Sequence, residues 1–203
     1  MGTKETIINE SLELFSVKGF EEVYMRDIAG KVGIRESSIY KHLKGKQSIL
    51  DSIVMECKER IEQLFLELKV PNMNEMELGK YSEMSIEDIS DLCCSMFFEQ
   101  NNEHRIVMFR RLLIIEQYKN DELQKLYSDM FIENSLRYQK KVFEYLMKAN
   151  ILVDEDPEIL AIEFFSPFFM FQYRYLDDIA EGKKQLKKHA EHFLNIHLKE
   201  EER

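Results

Sequence analysis

The chain has 203 residues, 44% of them apolar and 33% charged, and a formal net charge of -10. That length holds one good-sized domain or a small domain fused to a larger one, and the composition is globular rather than disordered. The longest apolar runs, such as "IVMFRRLLII", are broken by charge and too short to span a bilayer, and the N-terminus lacks the apolar core of a secretion signal. A cytoplasmic protein with no membrane partner is therefore expected. Three cysteines, Cys57, Cys93 and Cys94, are an odd count without metal spacing; they fit a reducing compartment and buried positions.

Only seven Gly and three Pro occur, and no stretch alternates for long with period two, so the fold class is all-α, with about nine helices. The first helix is expected over about 3–18, where Ile7, Ile8, Leu12 and Phe15 form one stripe and Gly19 is a natural stop. The second, about 25–32, turns Ile28, Ala29 and Val32 inward and ends at Gly33. The third is short, about 36–43, with Ile39 and Leu43 inward and Gly45 behind it. A long fourth helix, about 46–69, carries Ile49, Leu50, Ile53, Cys57, Ile61, Leu64 and Phe65. The stretch "VPNMNEMELGKYSEMS" reads as an irregular linker. Ser85 then caps a helix to about 101, another covers about 103–117, and a long one runs over about 120–149. "DEDPEIL" is a strong helix start, with Asp156 as N-cap and Pro157 in the first turn. The helix it opens, about 157–180, is very aromatic, with a kink expected at Pro167. A last helix covers about 183–199.

The second and third helices, joined by a glycine turn, have helix-turn-helix spacing. Ala29 is small enough for close packing, Gly33 supplies a permissive backbone, and Ile39 plugs the pair against the first helix. Arg35, Glu36, Ser37, Ser38, Lys41 and His42 are left outward. In a recognition helix such positions reach base edges in the major groove, with Arg35 and Lys41 suited to guanine and the serines to bases or phosphates. Charge agrees. Val23–Ser48 holds six basic side chains, Arg26, Lys31, Arg35, Lys41, Lys44 and Lys46, against the acidic Asp27 and Glu36. Residues 51–203 hold 20 basic and 31 acidic. A basic end on an acidic chain points to a polyanion partner, with Lys41, Lys44 and Lys46 set to neutralise phosphates.

From "IINESLELFSVKGFEEVYMRDIAGKVGIRESSIYKHLKGKQSIL" the chain resembles a TetR-type transcriptional regulator. The residues that carry the likeness are Phe15, Gly19, Phe20, Asp27, Ile28, Ala29, Gly33, Ile39, Tyr40, Lys46 and Leu50, and it covers about 5–54. The resemblance implies that Tyr40 and Lys46 hold operator phosphates and that His42 contacts DNA. Three departures bear on the interface: Val23 and Tyr24 stand where the family usually has Thr or Ser before the second helix, Arg35 where it has Ser or Thr, and Ser37 where it has a smaller residue, often Gly.

Beyond the resemblance only helical layout and length agree. "EFFSPFFMFQYRY" is apolar on more than one side, so one side must be buried outside the subunit. A homodimer built from the last two helices answers this, with Phe164, Phe168, Tyr175, Leu186 and Phe193 as expected contacts. Tyr127, Phe131, Asn134 and Tyr138 are expected on one face of the long helix. With Ile61, Phe65, Met96, Phe169 and Tyr173 they would line a pocket for a hydrophobic small-molecule effector. His189, His192 and His197 read as helix surface or interface rather than a metal site, and Glu99, Glu116 and Glu163 as solvated or satisfied. No nucleophile–base pair, glycine-rich phosphate loop or cofactor motif appears, so neither enzymatic activity nor a cofactor is expected. The expected division is 1–46 for double-stranded operator DNA and 47–203 for effector and dimer. The competing reading is an all-α ligand-binding or enzymatic domain with an architectural helix-turn-helix.

Overall fold

The computed structural model describes residues 2–174 and 178–199. They form α1 (Thr3–Lys18), α2 (Met25–Val32), α3 (Glu36–Ile39), α4 (Lys46–Glu67), α5 (Glu75–Leu78), α6 (Ile86–Asn102), α7 (His104–Glu116), α8 (Asp121–Ser128), α9 (Asn134–Lys148), α10 (Pro157–Arg174) and α11 (Ile179–His197). A 3-10 turn, Gly79–Glu83, follows α5, and a π turn, Asp129–Glu133, joins α8 to α9. Among the described residues there is no strand, only an antiparallel bridge between Leu152 and Leu198. The chain divides into two compact units, Met1–Gln63 with Asn102–Ser128, and Leu64–Asn101 with Asp129–Arg203.

In the first unit α1 packs against both α2 and α7. Ile7, Leu12 and Phe15 of α1, Ile28 of α2, Ile39 of α3, Ile53 of α4, and Ile106 and Phe109 of α7 are all completely buried. Removing a side chain like Phe15 from water stabilises the unit by about 2–3 kcal/mol. Ser11 and Ser16 lie between the two faces of α1, and their hydroxyls donate back to Ile7 O at 2.6 Å and Glu13 O at 2.9 Å, so small polar residues are buried without an orphan group. Arg105 of α7 joins three helices: its guanidinium donates to Asn9 of α1 and to Glu56 of α4. Burial pushes the Cys57 thiol up to about 11, which fits an inert core position.

The second unit is built on an aromatic cluster. Phe164 lies 5.7 Å from Phe143, 5.2 Å from Phe168 and 5.1 Å from Phe193, all between ring centroids. Such pairs add about 0.5–1.5 kcal/mol each beyond their buried area. Asp156 accepts from the Glu158 N–H at 2.8 Å, which is the N-cap read from "DEDPEIL". The supposed linker is more ordered than its composition indicates. Asn74 caps α5 by accepting from Glu77 N at 2.9 Å, Leu78 and Tyr81 are buried, and Tyr138 Oη donates to Pro71 O at 2.6 Å. The helix expected over 120–149 is interrupted, because the π turn inserts an extra residue per turn and breaks the α register between Tyr127 and Asn134.

Candidate nucleic-acid interface

The α2–turn–α3 unit is fixed by its turn. Gly33 has φ +76° and ψ +30°, and the N–H groups of Gly33 and Ile34 both donate to Ala29 O, at 2.9 and 3.0 Å. The left-handed conformation costs other residues about 1–2 kcal/mol, so a glycine stands here. Ile28, Ala29, Ile39 and Leu43 are buried beneath it. α3 is shorter than its sequence pattern: α-helix covers Glu36–Ile39, and Tyr40–His42 form a further turn closed by Leu43 N donating to Ile39 O at 3.0 Å.

This leaves Arg35, Glu36, Ser37, Tyr40, Lys41, His42 and Lys44 exposed and Ser38 half-buried. The side chains of Arg35, Lys41, His42 and Lys44 form no ion pair among the described residues, so their donors are free for an external acceptor. Two other members of the basic stretch are engaged. Lys31 pairs with Glu13 at 2.8 Å and Glu10 at 3.4 Å, which ties α2 to α1 and raises the Lys31 pKa, the Glu13 hydrogen bond being the larger cause. Lys46 Nζ donates to Phe20 O at 2.8 Å and Glu21 O at 3.4 Å, and lies 4.3 Å from the Phe20 ring centroid. Its phosphate role, implied by the resemblance, competes with these bonds.

Sequence reasoning counted Arg26 in the basic stretch and Tyr24 as a departure from the family pattern, but gave neither a contact role. Tyr24 is exposed, and the Arg26 guanidinium lies over its ring at 5.2 Å. At the start of α2 the usual hydroxyl cap is absent, and Asp27 accepts from the Tyr24 N–H at 2.8 Å instead. The exposed guanidinium therefore stands at the edge of the cationic surface. The signal was present in the sequence as a basic residue within the first turn of the first helix of the motif.

The residues expected around an effector fall differently. Ile61 and Tyr127 belong to the first compact unit, and Phe65, Met96, Phe131, Asn134, Tyr138, Phe169 and Tyr173 to the second. Tyr127 and Phe131 are buried, while Asn134, just after the π turn, is exposed and accepts from Arg137. Tyr138 is committed to Pro71 and to Tyr81, whose hydroxyl lies 2.9 Å away, and burial pushes the Tyr138 pKa up to about 12. Phe65, Met96 and Phe169 are half-buried; Tyr173, edge-on to Phe169 with ring centroids 5.8 Å apart, is exposed. A cleft of about 180 Å³ lies elsewhere in the second unit, between Tyr81, Met84 and Ile89 on one side and Leu146, Leu152 and Leu194 on the other.

The expected dimer contacts are corrected. Phe164, Phe168, Leu186 and Phe193 are at most 4% exposed and form the core of the second unit; Tyr175 lies outside the described residues. The outward stripe of α10 is instead Ile159, Ile162, Ser166, Met170 and Tyr173. On a helix apolar on more than one side, sequence alone does not set the rotation, and the larger phenyl rings took the core. The histidines serve the backbone: His189 Nε2 pairs with Phe164 O at 3.0 Å and His197 Nδ1 with Phe193 O at 2.8 Å, while His192 is exposed. Of the three carboxylates read as solvated or satisfied, Glu99 and Glu163 are exposed and Glu116 is buried.

A pair of locked helices that offers unpaired cations and hydroxyls is suited to a duplex, and its geometry is that of a helix-turn-helix. The family model described as bacterial regulatory proteins, tetR family, matches residues 7–53. Over 200 residues, 97% of this chain and 99% of the relative, the chain is 26% identical to the biofilm operon icaADBC HTH-type negative transcriptional regulator IcaR of Staphylococcus aureus. Solved structures share the fold: the flavonoid-responsive regulator FrrA at TM-score 0.61 and 21% identity, covering 98% of both chains, and a SmeT–triclosan complex at 0.69 and 15%, covering 98% of this chain and 93% of that one. SmeT is the repressor of the Stenotrophomonas maltophilia multidrug efflux pump SmeDEF. The match over residues 7–53 and the similarity to a negative regulator support a TetR-type transcriptional regulator, and a purely architectural helix-turn-helix is not favoured.

Proposed function

We propose that the protein is a homodimeric, cytoplasmic repressor that leaves a palindromic operator when a hydrophobic small molecule binds its helical body. Residues 1–46 contact DNA, and 47–203 serve effector binding and dimerisation; the chain acts by binding, not catalysis. The observation that carries the reading is the unpaired cationic surface of Arg35, Lys41 and Lys44 on the glycine-locked turn. Similarity to a negative regulator over nearly the whole chain supports repression, and the likeness in fold to a flavonoid-responsive regulator and to a triclosan complex supports a small apolar effector. The exposed α10 stripe supports a symmetric partner, since one helix face with three large apolar side chains and Tyr173 needs cover.

A thermal-shift screen of small aromatic and apolar compounds, followed by operator release, tests the response. A compound that stabilises the protein must also free it from operator; a hundredfold release needs about 2.7 kcal/mol of coupling. Stabilisation by bound compounds without any change in operator affinity contradicts ligand control.

A further inference from the structure

Both backbone polar groups of Phe20 are held by side chains. Its N–H donates to Glu116 Oε1 at 2.8 Å, and its carbonyl accepts from Lys46 Nζ at 2.8 Å. Glu116 ends α7 and is only 1% exposed; Lys46 begins α4, directly behind the segment that carries Arg35–Lys44. The adjoining Gly19 has φ +86°, and a Cβ there would overlap Glu116 Oε1. A side chain at position 19 would therefore have to displace the carboxylate from the loop. Glu116 Oε2 is buried with no hydrogen-bond partner among the described residues. A buried carboxylate that satisfies one amide with one oxygen is a costly way to stabilise a fold, because an apolar residue would fill the same space without the desolvation penalty.

We propose that Glu116 is a positioning residue for operator binding. It fixes the Phe20 backbone, the Phe20 carbonyl fixes the Lys46 ammonium, and Lys46 sets the start of α4 and so the pose of the recognition segment. Glu116 touches no DNA; it acts 96 positions from Phe20 in sequence, through the backbone of one residue. Lys46 on this account is also a structural cation, held by two carbonyls and a ring. The proposal rests on the DNA-binding reading.

The test is a double-mutant cycle in operator affinity, at fixed salt and well below the melting temperature, with Glu116→Ala and Lys46→Met. Each single change is expected to weaken operator binding about tenfold, and the double variant by no more than either alone. Glu116→Gln, which keeps an acceptor for the Phe20 N–H, is expected to stay within about threefold of the parent, and Glu116→Ala to leave the salt slope unchanged. Additive losses, or parental affinity in Glu116→Ala, overturn the bracket. If Glu116→Ala does not fold, hydrogen exchange at the Phe20 amide decides: in Lys46→Met it should quicken about tenfold relative to amides within α1, and an unchanged rate overturns the proposal. A parent protein that binds no duplex at all contradicts the DNA-binding reading instead.

Discussion

Replacing single lysines separates cations that face a duplex from cations already used within the protein. Lys41 and Lys44 are exposed and unpaired among the described residues, whereas Lys31 is held by Glu10 and Glu13. Two subunits on one duplex bring about four such phosphate contacts, which gives a slope of log affinity against log salt of about -3.6. Raising salt from about 50 to 200 mM should then cost roughly 150-fold in affinity. Lys41→Ala removes one contact per subunit, so the slope should fall to about -2 and the loss to roughly tenfold. Lys31→Ala removes the same formal charge from the same stretch of sequence and should leave the slope unchanged. Fluorescence anisotropy of a labelled operator duplex across that salt range reads both slopes. Equal flattening by Lys31→Ala and Lys41→Ala would mean that net charge, not the geometry of the helix-turn-helix, governs binding.

Gly33→Ala should destabilise the protein by about 1–2 kcal/mol in urea unfolding, because the cost is the left-handed backbone alone: an added Cβ meets no atom within 4 Å. Ile162→Glu, on the outward stripe of α10, should yield folded monomers in sedimentation, whereas Phe164→Ala should cost about 3–5 kcal/mol of stability by opening a cavity; dimers unaffected by Ile162→Glu would exclude that face. Burial raises Cys57 and Cys94 to about 11 and Cys93 to about 12, so the thiols should resist a disulfide reagent at about pH 8 until the protein unfolds. These raised values favour the folded state below the ordinary thiol pKa of 9.0, and that contribution should fade as pH rises toward about 11–12, seen as a falling melting temperature.

The helix-turn-helix was legible because its signals are local. Ala29, Gly33 and Ile39 each satisfy a demand of packing or backbone that spacing alone reveals, and all three sit where the pattern put them. Helix starts with a chemical cap, at Ser85–Asp88 and Asp156, were equally readable. What was not legible depends on partners distant in sequence. Lys31 and Lys46 look like part of one basic patch until Glu13 and the Phe20 carbonyl are placed beside them. Glu116 resembles any helix-surface acid until α7 is laid against α1. The rotation of α10 was undetermined because apolar residues lie on more than one side of its axis, so Phe164, expected at a dimer contact, is buried while Ile162, given no role, faces outward. The π turn has no composition signature in "DMFIE", and Asn134, just after it, is exposed.

Footprinting on the DNA upstream of the protein's own gene, in modest salt and without effector, tests the central claim most directly. Two recognition segments related by a two-fold axis should protect a near-palindrome whose half-sites lie about one helical turn, roughly 34–36 Å, apart, and Arg35→Ala should relax preference at one base pair per half-site by about 1–3 kcal/mol. A single asymmetric half-site bound by one subunit, or protection that Arg35→Ala and Lys41→Ala leave unaltered, would contradict the account.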